Sequence, residues 1–228
     1  MEWHPRCCYA TRGVAGQSRA MRGIAYQPKE FEVRTIQITI QGTTPLLCNR
    51  FTDEAAMKAS SGSAVVAVGD KGSPKDQADK KLYRDESGKL VIPQPNLFRC
   101  ILDGGKFFKA GKSKVTTQKS SLIPACLSID ALTIPIDHKD PWSVDTRPVR
   151  IPATGGRILC HRPVFNDWAL SFTVELDTEI LSPKVLRDIV DAAGKRIGLG
   201  DFRPDCKGPF GKFVVTRWAE EAQLEAVA

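Results

Sequence analysis

The stretch Leu170-Ser-Phe-Thr-Val-Glu-Leu-Asp-Thr-Glu-Ile-Leu-Ser-Pro-Lys-Val-Leu-Arg-Asp-Ile-Val-Asp-Ala-Ala-Gly-Lys-Arg-Ile-Gly198 decides the architecture. In its first part Leu170, Phe172, Val174 and Leu176 alternate with Ser171, Thr173, Glu175 and Asp177. Period two means a strand with one buried face. The period then changes. Ser182 caps a helix, Pro183 takes its first position, and Val185, Leu186, Ile189, Val190 and Ala193 fall on one face. Lys195 and Arg196 suit its C-terminal end, and Gly198 terminates it.

Working outward, Phe213–Trp218 reads as a strand after a glycine-rich loop. Upstream, Ile36, Ile38 and Ile40 alternate with polar residues in a strand that Gly42-Thr-Thr-Pro45 ends. Gln94-Pro95-Asn96 opens a helix with Leu97, Phe98, Ile101 and Leu102 on one face, and Gly104-Gly105 stops it. Cys126–Ile136 reads as one strand whose apolar phase slips near Ala131, as at a bulge. Residues 138–165, with prolines, glycines and four arginines, read as a linking region. The order strand, helix, strand, strand, helix, strand predicts an α+β, ferredoxin-like (RRM-like) split βαβ fold. Its antiparallel sheet is covered by two helices and leaves the other face free, the face on which RNA-recognition modules bind single strands.

On this reading residues 31–218 form one domain with insertions at 52–90, 106–121 and 137–167, followed by a tail over 219–228. Thr52, Asp53 and Glu54 can open a short helix, 60–73 is a Ser/Gly-rich insertion, and 76–84 suits a polar helix. Residues 1–30, with Arg6, Arg12, Arg19, Arg22 and Lys29, read as a basic, flexible arm.

Composition bounds the function classes. Of 228 residues, 42% are hydrophobic and 26% charged, which excludes disorder, collagen and coiled coil. The longest apolar run, Ala64–Val68, is far short of the ~20 residues of a membrane helix, so no membrane partner and a cytoplasmic location are expected. A net charge of +7 points to an anionic partner. Cys48, Cys100, Cys126 and Cys160 sit among apolar residues and read as small buried hydrophobes. Adjacent Cys7 and Cys8 rarely chelate one ion together, even beside His4, so no metal and no cofactor are expected.

Three segments can carry chemistry. The loop from Ile197 to Phe213 holds Gly198, Gly200, Gly208 and Gly211 with Arg203, Lys207 and Lys212. Glycines allow close backbone approach and exposed amides, although the loop can equally be a connection that caps the helix. It follows a helix and precedes a strand, the reverse of a dinucleotide fingerprint. The run Lys106-Phe-Phe-Lys-Ala-Gly-Lys-Ser-Lys-Val-Thr-Thr-Gln-Lys119 has five lysines and no acid, with Phe107 and Phe108 able to stack on bases or to enter the core. Arg147, Arg150, Arg157 and Arg162 form a third group. Their odd spacings put Arg147 and Arg150 on opposite faces of an extended strand, as with Arg157 and Arg162, and some pair with Asp137, Asp140 or Asp145.

The G-x-G loop after the second helix, ending in G-x-x-G-K-F before a last strand, resembles the glycine signature of the RAMP superfamily of CRISPR-associated RNA-binding proteins. Ile36-x-Ile-x-Ile-x-Gly-Thr-Thr-Pro-Leu-Leu47 is similar to their first strand and turn. With Arg162-Pro-Val-Phe-x-x-Trp168 and Gly198-Leu-Gly-Asp-Phe-Arg-Pro204, the pattern also resembles a group of phage and prophage proteins. The RAMP resemblance implies a backbone-type subunit polymerising along a guide RNA, with a hairpin thumb interrupting the base stack. Lys106, Lys109, Lys112, Lys114 and Lys119 with Phe107 and Phe108 would form that thumb or a phosphate-tracking arm. The expected function is non-enzymatic binding of single-stranded RNA, or less favourably single-stranded DNA. Partners would be copies of the chain and other effector-complex subunits. A phage assembly protein using the sheet for protein contacts is the alternative. A RAMP-type endoribonuclease comes third, with His161 as base or Asp53 as acid, although each has a sufficient structural role.

Overall fold

In the computed structural model, which describes residues 32–52, 72–150 and 155–220, the alternation of the first strand becomes a central position in the sheet. Strand β1 (Val33–Gly42) and the short β2 (Leu46–Leu47) come first. Helix α1 (Pro74–Asp79) follows, capped by a reciprocal Ser73–Asp76 capping box. Strand β3 (Val91–Pro93) runs straight into helix α2 (Gln94–Gly104), with Pro95 in its first turn. A two-residue hairpin, β4 (Lys109–Ala110) and β5 (Ser113–Lys114), leads to a single helical turn and then β6 (Leu127–Ile129), β7 (Thr133–Pro135) and β8 (Asp137–His138). The long strands β9 (Ser143–Arg150) and β10 (Arg157–Phe165) precede β11 (Trp168–Asp177), helix α3 (Pro183–Ala192) and β12 (Phe213–Glu220).

The main sheet has the order β12-β1-β11-β6, antiparallel throughout, with β8 also on β11. This order is consistent with a ferredoxin-like arrangement. Ile36, Ile38 and Ile40 of β1 and Leu170, Val174 and Leu176 of β11 are fully buried against Leu97 and Ile101 of α2 and Leu186, Ile189 and Val190 of α3. Each such side chain contributes roughly 1.5–3 kcal/mol of burial. Trp168 fills one end, its Nε1–H donating to the Thr44 carbonyl at 2.9 Å. Helix α3 is built as its sequence requires: the Ser182 hydroxyl accepts from the Val185 amide, and the last turn widens into a π-turn over Ala193–Ile197 before Gly198 at φ 76°.

Two expectations are corrected. Cys126–Ile136 is not one bulged strand. Leu132 is 83% exposed, and the chain leaves the main sheet so that Ile134 can pair with Ile92 of β3. Residues 138–165 are no linker: β9 and β10 form a hairpin eight pairs long, joined to the body through β2. The arm over 1–30, Asp53 and Glu54, the Ser/Gly-rich insertion over 60–73 up to residue 71, and the end of the tail lie outside the described residues.

Candidate nucleic-acid interface

The β9–β10 hairpin sorts its arginines by face. Arg150 stands directly opposite Arg157, Cys160 opposite Arg147, and Asp145 opposite Arg162. Strand alternation therefore puts Arg147 and Arg162 on one face and Arg150 and Arg157 on the other. The first pair is internally committed. Arg162 is buried, donating to Asp201 Oδ2 at 2.8 Å and lying 3.6 Å from Asp145 Oδ2. A buried guanidinium already paired with two carboxylates is a strut between the hairpin and the glycine loop, which corrects its expected place among the strand contacts. Arg147 donates from Nε to Asp145 Oδ1 at 2.8 Å and lies over the Phe210 ring at 4.8 Å. Arg150 and Arg157 are exposed, and among the described residues no carboxylate pairs with either.

The hairpin also exposes apolar side chains: Leu159, at 65%, on the face of these two cations, and Ile158 at 50% and Val149 at 38%, paired with each other on the opposite face. Apolar residues at the far end of a hairpin, with cations among them, have the chemistry to wedge between unstacked bases and hold phosphates. Sequence reasoning missed this element. The available signal was two β-rich runs flanking Gly155-Gly156.

The glycine loop is locked onto the body. Gly211, at φ 70°, donates its amide to the Pro45 carbonyl, and a Cβ there would run into the Leu199 carbonyl. Gly200, at φ 79°, likewise has no room beside the Leu47 carbonyl. Neighbouring amides are used inside the fold as well: Leu199 N–H to Gly211, Asp201 N–H to Leu47, Gly198 N–H to Ala193 and Gly208 N–H to Arg203. These donors close the loop rather than face a strand, as the plain connection reading required. Arg203 donates to the Gly200 carbonyl and pairs with Asp205 at 3.5 Å, whereas Lys207 is exposed.

The lysine segment sits at the C-terminal end of α2. Lys106 pairs with Asp103 at 2.8 Å. Phe108 packs against the core, and Phe107 stays 45% exposed with the Arg196 guanidinium 4.6 Å from its ring centre. Lys109 and Lys114 are direct cross-strand partners on the small hairpin, and Lys112 and Lys119 are exposed nearby. Like charges placed opposite repel, and an anion relieves that repulsion.

The outer sheet face carries Gln37, Thr39, Ser171, Thr173, Glu175 and Arg217 in register, with Thr39 and Ser171 hydroxyls 3.1 Å apart. Among the described residues it has no aromatic ring to stack a base. His161 Nδ1 lies 2.8 Å from the Thr146 hydroxyl opposite it, a cross-strand tie. Burial pushes the Cys48 thiol up to about 12, with Asp201 adding to the effect, and burial likewise pushes Cys100 up to about 12 and Cys126 up to about 11. Cys160 is only half-buried, with the Lys81 ammonium 3.1 Å from its sulfur, against the expectation of a core thiol.

No family model and no curated protein matches the chain. Among solved structures, a chain in the cryo-EM structure of the type III-B Cmr-β bound to cognate target RNA superposes with a TM-score of 0.52 at 10% identity. The match covers 82% of this chain and 60% of that one, so it takes in less than two thirds of its neighbour's length. The likeness is one of fold. Among the described residues no helix is long and apolar enough to cross a membrane.

Proposed function

We propose that this chain is a RAMP-like subunit that binds single-stranded RNA without cutting it, in several copies along the strand and beside other subunits of a CRISPR-type effector. The observation that carries the reading is the β9–β10 hairpin, which exposes Leu159 on the same face as Arg150 and Arg157, two cations that no carboxylate pairs among the described residues. The fold neighbour, found in an assembly bound to target RNA, supports it. Lys109, Lys112, Lys114 and Lys119 supply a second set of cations, with Lys207 beside the glycine loop.

The test is the ultraviolet absorbance ratio of protein purified at low salt, with nuclease digestion and sizing of what co-purifies, then binding of RNA and DNA single strands. A discrete ribonuclease-sensitive polymer is expected, and the strand should remain intact with and without magnesium. Replacing Lys109, Lys112 and Lys114 with alanine should flatten the salt dependence of binding by about 2 in log–log slope, at roughly 0.7 per phosphate. A clean protein spectrum, with no strand retained at ~50 mM salt, would replace this reading with a protein-docking role for the exposed apolar hairpin.

A further inference from the structure

A cavity of about 240 Å3 opens between α2, the strand end at Cys48-Asn49 and the glycine loop. Its floor is apolar, made by Cys48, Ile92, Cys100, Ile197 and Leu199. Its charged walls are already neutralised. Asp103 holds Arg99 at 2.9 Å and Lys106 at 2.8 Å, Asp201 holds Arg162, and Arg203 holds Asp205. What remains open for a ligand is uncharged. The Asn49 and Asn96 carboxamides and the Tyr83 hydroxyl line the cavity, and none of the three has a hydrogen-bond partner among the described residues. A carboxamide presents one acceptor and two donors, so two of them read an edge that mixes both.

An apolar floor under neutral, two-way hydrogen-bonding groups fits a planar heterocycle and disfavours a bare phosphate or carboxylate. The volume lies a little below the ~300–1,000 Å3 of sites for drug-sized molecules, which suits one ring system and excludes a run of stacked bases. Position adds to this. Asn49 and Asp201 line both the cavity and the neighbouring groove along the hairpin, which also holds Arg147 and Arg150.

We infer that this cavity takes a single nucleobase, turned out of the strand that the hairpin holds, and reads its hydrogen-bonding edge with Asn49, Asn96 and Tyr83. The inference rests on the proposed strand-binding role and gives that role a base preference at one position per subunit.

The test uses the full chain and four 12-nucleotide homopolymer RNAs, with the four free nucleoside 5′-monophosphates as second probes in a saturation-transfer NMR measurement. Wild-type protein should favour one homopolymer by about tenfold. N49A/N96A should lose that preference while its salt slope stays unchanged, since no cation is removed. Both carboxamides are exposed and without partners among the described residues, so melting temperature should match wild type, and a Y83F variant should give a smaller loss in the same direction. Strands bound without base preference, or equal weakening of all four by N49A/N96A, would overturn the base pocket and leave strand binding standing. Protein that retains no strand but binds one monophosphate in an Asn49- and Asn96-dependent way would uphold the pocket and overturn the strand. Neither probe binding would overturn both.

Discussion

The double variant R150A/R157A tests the hairpin most directly. Both guanidiniums are exposed, stand opposite each other in register, and have no carboxylate partner among the described residues. If each neutralises one phosphate of a single strand, each contributes about 0.7 to the slope of log affinity against log salt. Removing both should make the slope shallower by about 1.4. Between 50 and 200 mM salt the wild type would then lose on the order of sevenfold more affinity than the variant. Fluorescence anisotropy of a labelled RNA strand across a salt series reads this directly. R162A is the internal control. Its guanidinium is 7% exposed and already paired with Asp145 and Asp201, so its removal should leave the slope unchanged and lower the melting temperature. Asp201 is 32% exposed, so the loss should fall below the ~3–5 kcal/mol of breaking a fully buried pair. A slope in R150A/R157A equal to wild type would refute the assignment of phosphates to this hairpin.

Other consequences are open to measurement. Gly211→Ala forces a side chain to adopt φ 70° and drives a methyl group into the Leu199 carbonyl, so a loss of about 2 kcal/mol or more is expected in urea unfolding; a neutral result would mean the loop is not locked as described. At Asp103 burial raises the carboxyl pKa, but the Lys106 and Arg99 hydrogen bonds outweigh it and the net direction is down. A lowered folded pKa adds stability above the unfolded value of about 3.9 that disappears as pH falls through the folded value. The stability gap between wild type and D103N should therefore be widest near neutral pH and close in acid, and a gap constant down to about pH 2 would contradict the ion-pair account. Thiol labelling at pH 8 should spare Cys48, Cys100 and Cys126, whose thiols burial pushes up to about 12, 12 and 11, until denaturant is added; prompt labelling of all three would show that the core is open.

Much of the main sheet and both long helices was legible because one physical rule dominated each. β1 and β11 each bury one face, so Ile36-Ile38-Ile40 and Leu170-Phe172-Val174-Leu176 write period two into the chain. Helix α3 carries its own cap and stop in Ser182, Pro183 and Gly198. Where neither rule applied, the reading failed. Val91–Pro93 is too short for a period, so nothing showed that it would draw Ile134 away from the main sheet. The β9–β10 hairpin exposes most of β9, and its apolar residues Ile158 and Leu159 are consecutive and exposed. A strand with no buried face has no burial pattern to read. Within the site, Arg162 could not be told from Arg157 by sequence, because what separates them is Asp201, 39 positions away and reached only through the glycine loop.

The place of β1 in the middle of its sheet also governs how the molecule comes into being. Its two neighbours are β11 and β12, so Ile38 meets Phe172 on one side and Trp218 on the other. A ribosome adding roughly 5–20 residues per second needs on the order of ten seconds to travel from Gly42 to Trp168. Throughout that interval the nascent strand VRTIQITIQG has two unsatisfied edges and three isoleucines with no partner. Such a segment pairs readily with another copy of itself. Yield in a cell should therefore depend on elongation rate and on chaperones that shield emerging strands, and slow refolding from denaturant is the corresponding expectation in vitro.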